Sequence, residues 1–351
     1  IQFASDIIQP CQKSILLFQT MPGLHTISTY SPPIWLPGGN LQTIYPYAFK
    51  PVRLFQYRRE RWELDDGDFV DVDWVDGAVH SPLVVFFHGL EGNSSSHYIV
   101  STINSLKRHH WSSVVIHFRG CSGVPNRLPR AYHAGDSAEI EQMLQRVILQ
   151  IGESRSPQPL FVVGVSLGGN ALLKWLGEQN QRANSLVSRV AAISVPLDLA
   201  AAGVALDTGF NQVYTRHFLA TLKRKAFYKL QQFPGLFDRQ ALKKCATIYD
   251  FDNLVTAPLH GFRDTDHYWR MSSSKQWLGK ITVPTLIINA CNDPFMPASV
   301  LPKQQEVSSK VTLEFPEHGG HAGFLQGTLP GRLDWLPERI FNFFNQSQVQ
   351  T

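Results

Sequence analysis

The chain has 351 residues, of which 43% are hydrophobic, enough for one large core or a core plus an insertion. Its formal net charge is +4 and its basic residues are scattered, which argues against a nucleic-acid-binding class built on a basic face. No run reaches the ~18 apolar residues of a membrane span, and the N-terminus lacks a basic, then apolar, then small-residue leader pattern, so a cytoplasmic protein without stable membrane insertion is expected. Cys11, Cys121, Cys245 and Cys291 lie far apart with no metal-ligand spacing, and read as thiols of a reducing compartment. The densest basic cluster, Lys223-Arg224-Lys225, reads as a solvated helix face. The first methionine is Met21. Residues 1–20 are therefore read as partly upstream sequence and are expected to be poorly ordered.

In chain order, residues 21–60 are rich in proline and aromatics. They read as an arm wrapping the outside of the core, with one short helix near Asn40-Leu41-Gln42-Thr43. Residues 61–64 and 69–74, joined by a turn at Asp65-Asp66-Gly67-Asp68, form an antiparallel hairpin whose alternating second strand predicts one wet face. Leu83-Val84-Val85-Phe86-Phe87 is a buried strand ending in His88-Gly89-Leu90, followed by a helix over 96–109. Residues 113–118 give another buried strand. The spacing of Ile140, Met143, Leu144, Val147 and Ile148 predicts a helix over 137–150. Leu160-Phe161-Val162-Val163 is an apolar, β-branched run of the kind buried on both faces of a parallel sheet. It leads into Gly164-Val165-Ser166-Leu167-Gly168-Gly169-Asn170 and then a helix through Trp175. Residues 190–195 form the next strand.

Strand and helix alternate across this region, which predicts a mostly parallel sheet flanked by helices, with its site at the carboxyl ends of the strands. From 197 to 279 the alternation stops. That stretch is read as a helical cap insertion between core segments 61–196 and 280–346; one long set of crossover helices is the plainer alternative. The sheet resumes at 285–290 and 311–315, and a final helix runs over 335–345.

The pattern Gly164-Val165-Ser166-Leu167-Gly168 sits between a buried strand and a helix, the context of a nucleophile elbow. A sharp strand-to-helix turn holds the serine in a strained conformation and requires small residues two before and two after it. A serine hydroxyl is a weak nucleophile until a base accepts its proton and an acid orients that base. Asp293 follows the 285–290 strand, and His321 follows the last strand, so Ser166, Asp293 and His321 stand in the chain order of an α/β-hydrolase triad. His318 is the rival base; His321 is preferred because Gly319-Gly320 precede it and Ala322-Gly323 leave room around it. The oxyanion hole is expected from the backbone N–H groups of Leu167 and Leu90, with Gly89 letting the loop turn inward and His88 bracing it. Asn93 and His97 are candidate substrate-pocket contacts along with Gly89.

These segments, together with Gly39-Asn40-Leu41-Gln42-Thr43, Tyr132-His133-Ala134-Gly135, Phe251-Asp252-Asn253-Leu254-Val255-Thr256-Ala257-Pro258 and His318-Gly319-Gly320-His321-Ala322-Gly323-Phe324, resemble the YheT-like branch of the α/β-hydrolases. These bacterial proteins are assigned as carboxylesterases and are related to membrane-anchored α/β-hydrolase-domain proteins of animals. The resemblance runs from about residue 35 to about residue 344. It implies an α/β-hydrolase fold, a triad carried over to Ser166, Asp293 and His321, and no metal or organic cofactor. Usual members have a shorter N-terminus, and the membrane helix of the animal relatives is absent from this sequence. The function expected is a serine esterase acting on small-molecule esters of short to medium acyl chains. An acyltransferase or thioesterase would use the same triad. A non-catalytic binding protein on a hydrolase fold is the reading from another class. An epoxide hydrolase or dehalogenase is disfavoured because those carry aspartate at the elbow. Oligomeric state is left open.

Overall fold

The computed structural model describes residues 30–48, 51–152 and 158–346. The expectation of poor order at 1–20 lies outside the described residues, as does Cys11. Eight strands form one sheet: β1 (Arg58–Glu63), β2 (Phe69–Val75), β3 (Leu83–Phe87), β4 (Ser112–Ile116), β5 (Leu160–Val165), β6 (Arg189–Ile193), β7 (Thr285–Ile288) and β8 (Val311–Glu314). Their order is β1-β2-β4-β3-β5-β6-β7-β8. The two pairings of β2 are antiparallel, and every pairing from β4 to β8 is parallel.

The helices are α1 (Gly39–Ala48), α2 (His97–Arg108), α3 (Ser137–Ile151), α4 (Leu167–Gln179), α5 (Leu199–Leu206), α6 (Gln212–Gln232), α7 (Arg239–Lys244), α8 (Ile248–Phe251), α9 (Ala257–Leu259), α10 (Thr265–Ser272) and α11 (Trp335–Phe344). A single π-helical turn, Asp252–Thr256, joins α8 to α9. Helix α3 starts where the Asp136 carboxylate accepts the Glu139 N–H, a side-chain cap for an otherwise orphaned donor. It buries Ile140, Met143, Leu144 and Val147, one stripe at helical spacing.

Period-two alternation splits the sheet's side chains between two cores. Val85, Phe87, Val114 and Val162 join Met143, Leu144, Leu172 and Trp175 on the α3–α4 side. Val84, Phe86, Val115 and Val163 join Ile99, Ile103, Leu336 and Phe344 on the α2–α11 side. Helix α4 is buried nearly all round, because β-strand ends, α3 and the 197–280 helices all pack on it. Trp175 is completely buried; removing a side chain of that class from water contributes ~1.5–3 kcal/mol. The helices of the 197–280 segment lie between β6 and β7 in the chain.

One expectation fails. Strand β2 has no wet face: all seven of its residues are buried. Its alternating polar positions are Asp71 and Asp73, covered by arginines from β1. Arg59 holds Asp73 through Nε at 2.7 Å and Nη2 at 2.8 Å, and Arg61 holds Asp71 in the same two-pronged way. His117 Nε2 lies 2.8 Å from Asp73 Oδ2, and Ser122 Oγ donates to Asp71 at 2.6 Å. Burial by itself pushes the Asp73 carboxyl up, but Arg59, His117 and Ser94 together hold it well below the usual carboxylate range. The polar positions do alternate along β2, but the arginines of the neighbouring strand, not solvent, neutralise them.

Arg59→Met therefore leaves a buried carboxylate with His117 and Ser94 as its remaining partners. Because the arginine is itself nearly half exposed, water recovers part of the loss, and the expected cost is about 2 kcal/mol. Urea denaturation would show it as a lower midpoint at unchanged slope.

Candidate active site

Ser166 is the hinge between β5 and α4, with φ 53° and ψ −122°, a region L-residues avoid at a cost of ~1–3 kcal/mol. The backbone around it leaves no room for side chains. A Cβ on Gly164 would lie 2.7 Å from Gly169 Cα, and one on Gly168 would lie 2.5 Å from the His88 carbonyl oxygen. The elbow is anchored by Ser166 N–H donating to the Ile193 carbonyl at 2.8 Å. Asn170, one turn into α4, fixes the helix's other side: its amide donates to the Ala134 and Ser272 carbonyls at 2.8 and 2.7 Å, and its oxygen accepts the Ser274 N–H. That gives the Tyr132–Gly135 loop quoted above its place beside α10.

Asp293 and His321 meet beyond the ends of β7 and β8. His321 Nδ1 lies 2.9 Å from Asp293 Oδ2, and Asp293 Oδ1 accepts the Phe295 N–H at 2.8 Å. A carboxylate partner at Nδ1 requires the ring proton there, which leaves Nε2 with its lone pair free to accept a proton. The Asp293 side chain is fully shielded. The Phe295 ring packs on the imidazole with centroids 4.1 Å apart.

Ser166, Leu167, Leu90, Phe295 and His321 all line one cavity of about 470 Å³. Among the described residues no hydrogen bond joins Ser166 to His321. Such contacts are commonly long without substrate and tighten in the reacting complex. The rival His318 is exposed, and its Nδ1 lies 3.3 Å from the Asn292 amide nitrogen, away from the cavity lining.

The loop after β3 is held by aromatic hydroxyls. Gly89 N–H donates to Tyr98 OH at 3.0 Å and Glu91 N–H to Tyr132 OH at 2.8 Å. The Leu90 N–H between them has no acceptor among the described residues. Leu167 N–H is in the first turn of α4, where helix geometry leaves donors open. His88 accepts the Phe118 N–H at Nε2, so its Nδ1–H donates to the Gly89 carbonyl at 2.7 Å. Complete burial pushes its pKa down to about 3, so it is a neutral brace for this loop.

Asn93 and His97, expected as pocket contacts, are placed elsewhere. Asn93 closes its own turn, donating to Ser96 Oγ and accepting from Ser95 N–H. His97 is buried with Nε2 2.9 Å from the Ala322 carbonyl oxygen. Neither lines the cavity, and neither does Gly89. Gly89 instead packs against Ser166, where an added Cβ would lie 3.1 Å from its Cβ.

The cavity walls that the sequence reading did not identify come from the 197–280 helices: Leu199, Leu206, Phe218, Leu222, Phe251 and Trp269. The lining is largely apolar, with an ion pair between Lys225 and Glu91. There Lys225 Nζ lies 2.7 Å from Glu91 Oε1, and Tyr132 OH donates to the same oxygen. Their signal in the sequence was only hydrophobic spacing, which serves a core equally well. No group of three His, Cys, Asp or Glu side chains is placed to hold a metal ion among the described residues.

The chain belongs to the α/β-hydrolase fold family, whose pattern it matches over residues 82–328. Within that family it is 39% identical over 307 residues to the Escherichia coli K12 protein named "Putative esterase YheT", covering 86% of this chain and 88% of that one. It is 28% identical to the mouse phospholipase ABHD3, over 92% of this chain and 79% of the relative. Among solved structures, the Pyrococcus furiosus esterase Pf2001 superposes with a TM-score of 0.53 at 14% identity, over 93% of this chain and 97% of that one, a likeness of fold alone. The described residues contain no helix long and apolar enough to cross a membrane.

Gly168→Ala would drive a methyl into the β3 carbonyls. Overpacking of this kind costs typically 1–3 kcal/mol. The variant is expected to lose thermal stability and to react more slowly with a fluorophosphonate probe than Ala171→Gly, a helix-interior change that leaves the elbow intact.

Proposed function

We propose that this protein is a serine carboxylesterase working through an acyl-enzyme intermediate. The observation that carries the reading is the shared cavity: a strained serine at a helix N-terminus, a histidine whose proton is fixed on Nδ1 by a buried carboxylate, and two open backbone N–H groups. In this reading, Ser166 Oγ attacks the ester carbonyl and His321 Nε2 takes its proton. Asp293 stabilises the imidazolium that forms. The Leu90 and Leu167 N–H groups receive the oxyanion. His321 protonates the leaving alcohol, then activates the water that releases the acid.

The 197–280 helices act as a cap, and their apolar side chains receive the acyl group. Short to medium acyl chains are the substrates proposed. The related phospholipases indicate that longer acyl groups belong in the same test. A panel of nitrophenyl esters of increasing acyl length, with a phosphatidylcholine as the last member, decides the matter. Wild type should turn over the shorter esters, and Ser166→Ala should lose about 10⁴-fold or more in kcat. Turnover confined to the longest chains or the phospholipid would refute the acyl-length proposal. Equal turnover by Ser166→Ala would refute the mechanism.

A further inference from the structure

The segment Gly39-Asn40-Leu41-Gln42-Thr43 has no role in the mechanism above, and it was expected to lie on the outside of the core. Instead Gln42 is 1% exposed. Helix α1 is wedged between the two loops that carry Asp293 and His321. The His321 loop has four successive backbone N–H groups, and a side chain accepts each of them. Gly319 N–H goes to Gln42 Oε1 at 2.9 Å, Gly320 N–H to Asn292 Oδ1 at 3.0 Å, His321 N–H to Thr43 Oγ1 at 2.8 Å, and Ala322 N–H to Ser194 Oγ at 2.9 Å.

The acceptors are themselves fixed. Gln42 Nε2 donates to the Leu36 carbonyl, and its oxygen also accepts from Asn292 Nδ2 at 3.0 Å. Thr43 Oγ1 spends its proton on the Gly39 carbonyl at 2.7 Å, so only its lone pairs face His321. The fit is close enough that a Cβ on Gly323 would lie 2.0 Å from the Gln42 carbonyl oxygen. Buried N–H groups must be paired, and this loop forms no sheet or helix that would pair them. Its conformation is therefore set by whatever supplies the acceptors.

We infer that Gln42 and Thr43, with Asn292, are positioning residues for the catalytic base: they hold the His321 backbone so that its ring meets Asp293 on one side and Ser166 on the other. This rests on the esterase reading for the identity of the base. The arm is then a working part of the site, joined to it by contacts 277 and 278 residues apart in the chain.

The test uses the full chain and two readouts. One is the low-field proton resonance of His321 Nδ1–H, assigned by its loss in His321→Ala. The other is steady-state hydrolysis of a nitrophenyl ester. Thr43→Val keeps the shape and removes the acceptor; Asn292→Ala removes its acceptor by truncation at a half-buried position, and serves if the first variant does not fold. Both should lose or shift the resonance and lower kcat by about 10-fold to about 100-fold with KM changed less than about threefold, and Thr43→Ser should restore both readouts. The inference is overturned if the folded variants keep the wild-type resonance and kcat within about threefold while only their melting temperature falls. If wild type itself hydrolyses no ester, the esterase reading fails, and the resonance still decides whether these residues position the ring.

Discussion

The candidate active site depends on one close approach. At the end of β5 the chain reverses direction within a single residue, and the N-terminus of α4 then runs along the carbonyls of Phe87 and His88 with no room for a Cβ. This contact forces Ser166 to a positive φ and turns its hydroxyl out of the fold. It also sets the loop after β3 beside the first N–H groups of α4. The proposed nucleophile and both proposed oxyanion donors are thereby set by this backbone contact, with the Tyr98 and Tyr132 hydroxyls holding the loop after β3. Strain of this kind persists only where surrounding structure over-determines it. Here the Ile193 carbonyl, the Asn170 amide and the parallel pairing of β5 with β3 and β6 do so.

The histidine is placed by the opposite strategy. Its loop has no regular hydrogen-bond pattern of its own, and it borrows four acceptors from three separate parts of the chain. Its ring is clamped between Asp293 and the Phe295 face. A rigid serine is thus set beside a histidine whose position depends on long-range contacts. The apolar cavity above them is walled by helices inserted between β6 and β7, and apolar walls strengthen the electrostatic interactions beside them.

What the sequence made legible follows from how local each feature is. Strands β3 and β5, the elbow and the helices α2 to α4 are encoded in runs of a dozen residues, and their patterns gave both element and position. Asp293 and His321 were legible because each lies in a glycine- or proline-marked turn just past a late strand. Strand β2 shows where pattern reading stops: Asp71 and Asp73 alternate as surface residues do, and nothing within β2 reveals that Arg59 and Arg61 will cover them. Gln42 and Thr43 were opaque for the same reason, since the N–H groups they serve come some 280 residues later. His97 was misread as a pocket residue because a polar residue at the start of a helix near an active-site loop looks alike whether it faces substrate or, as here, holds the Ala322 carbonyl.

The central claim is that one hydroxyl is activated by one imidazole. The most direct measurement is mass-spectrometric mapping of the adduct left by a fluorophosphonate at neutral pH. The account predicts a single phosphonyl group on the peptide containing Ser166, formed rapidly in wild type and only very slowly in His321→Ala. An adduct on another residue, or equally fast labelling of Ser166 when His321 is removed, would contradict it.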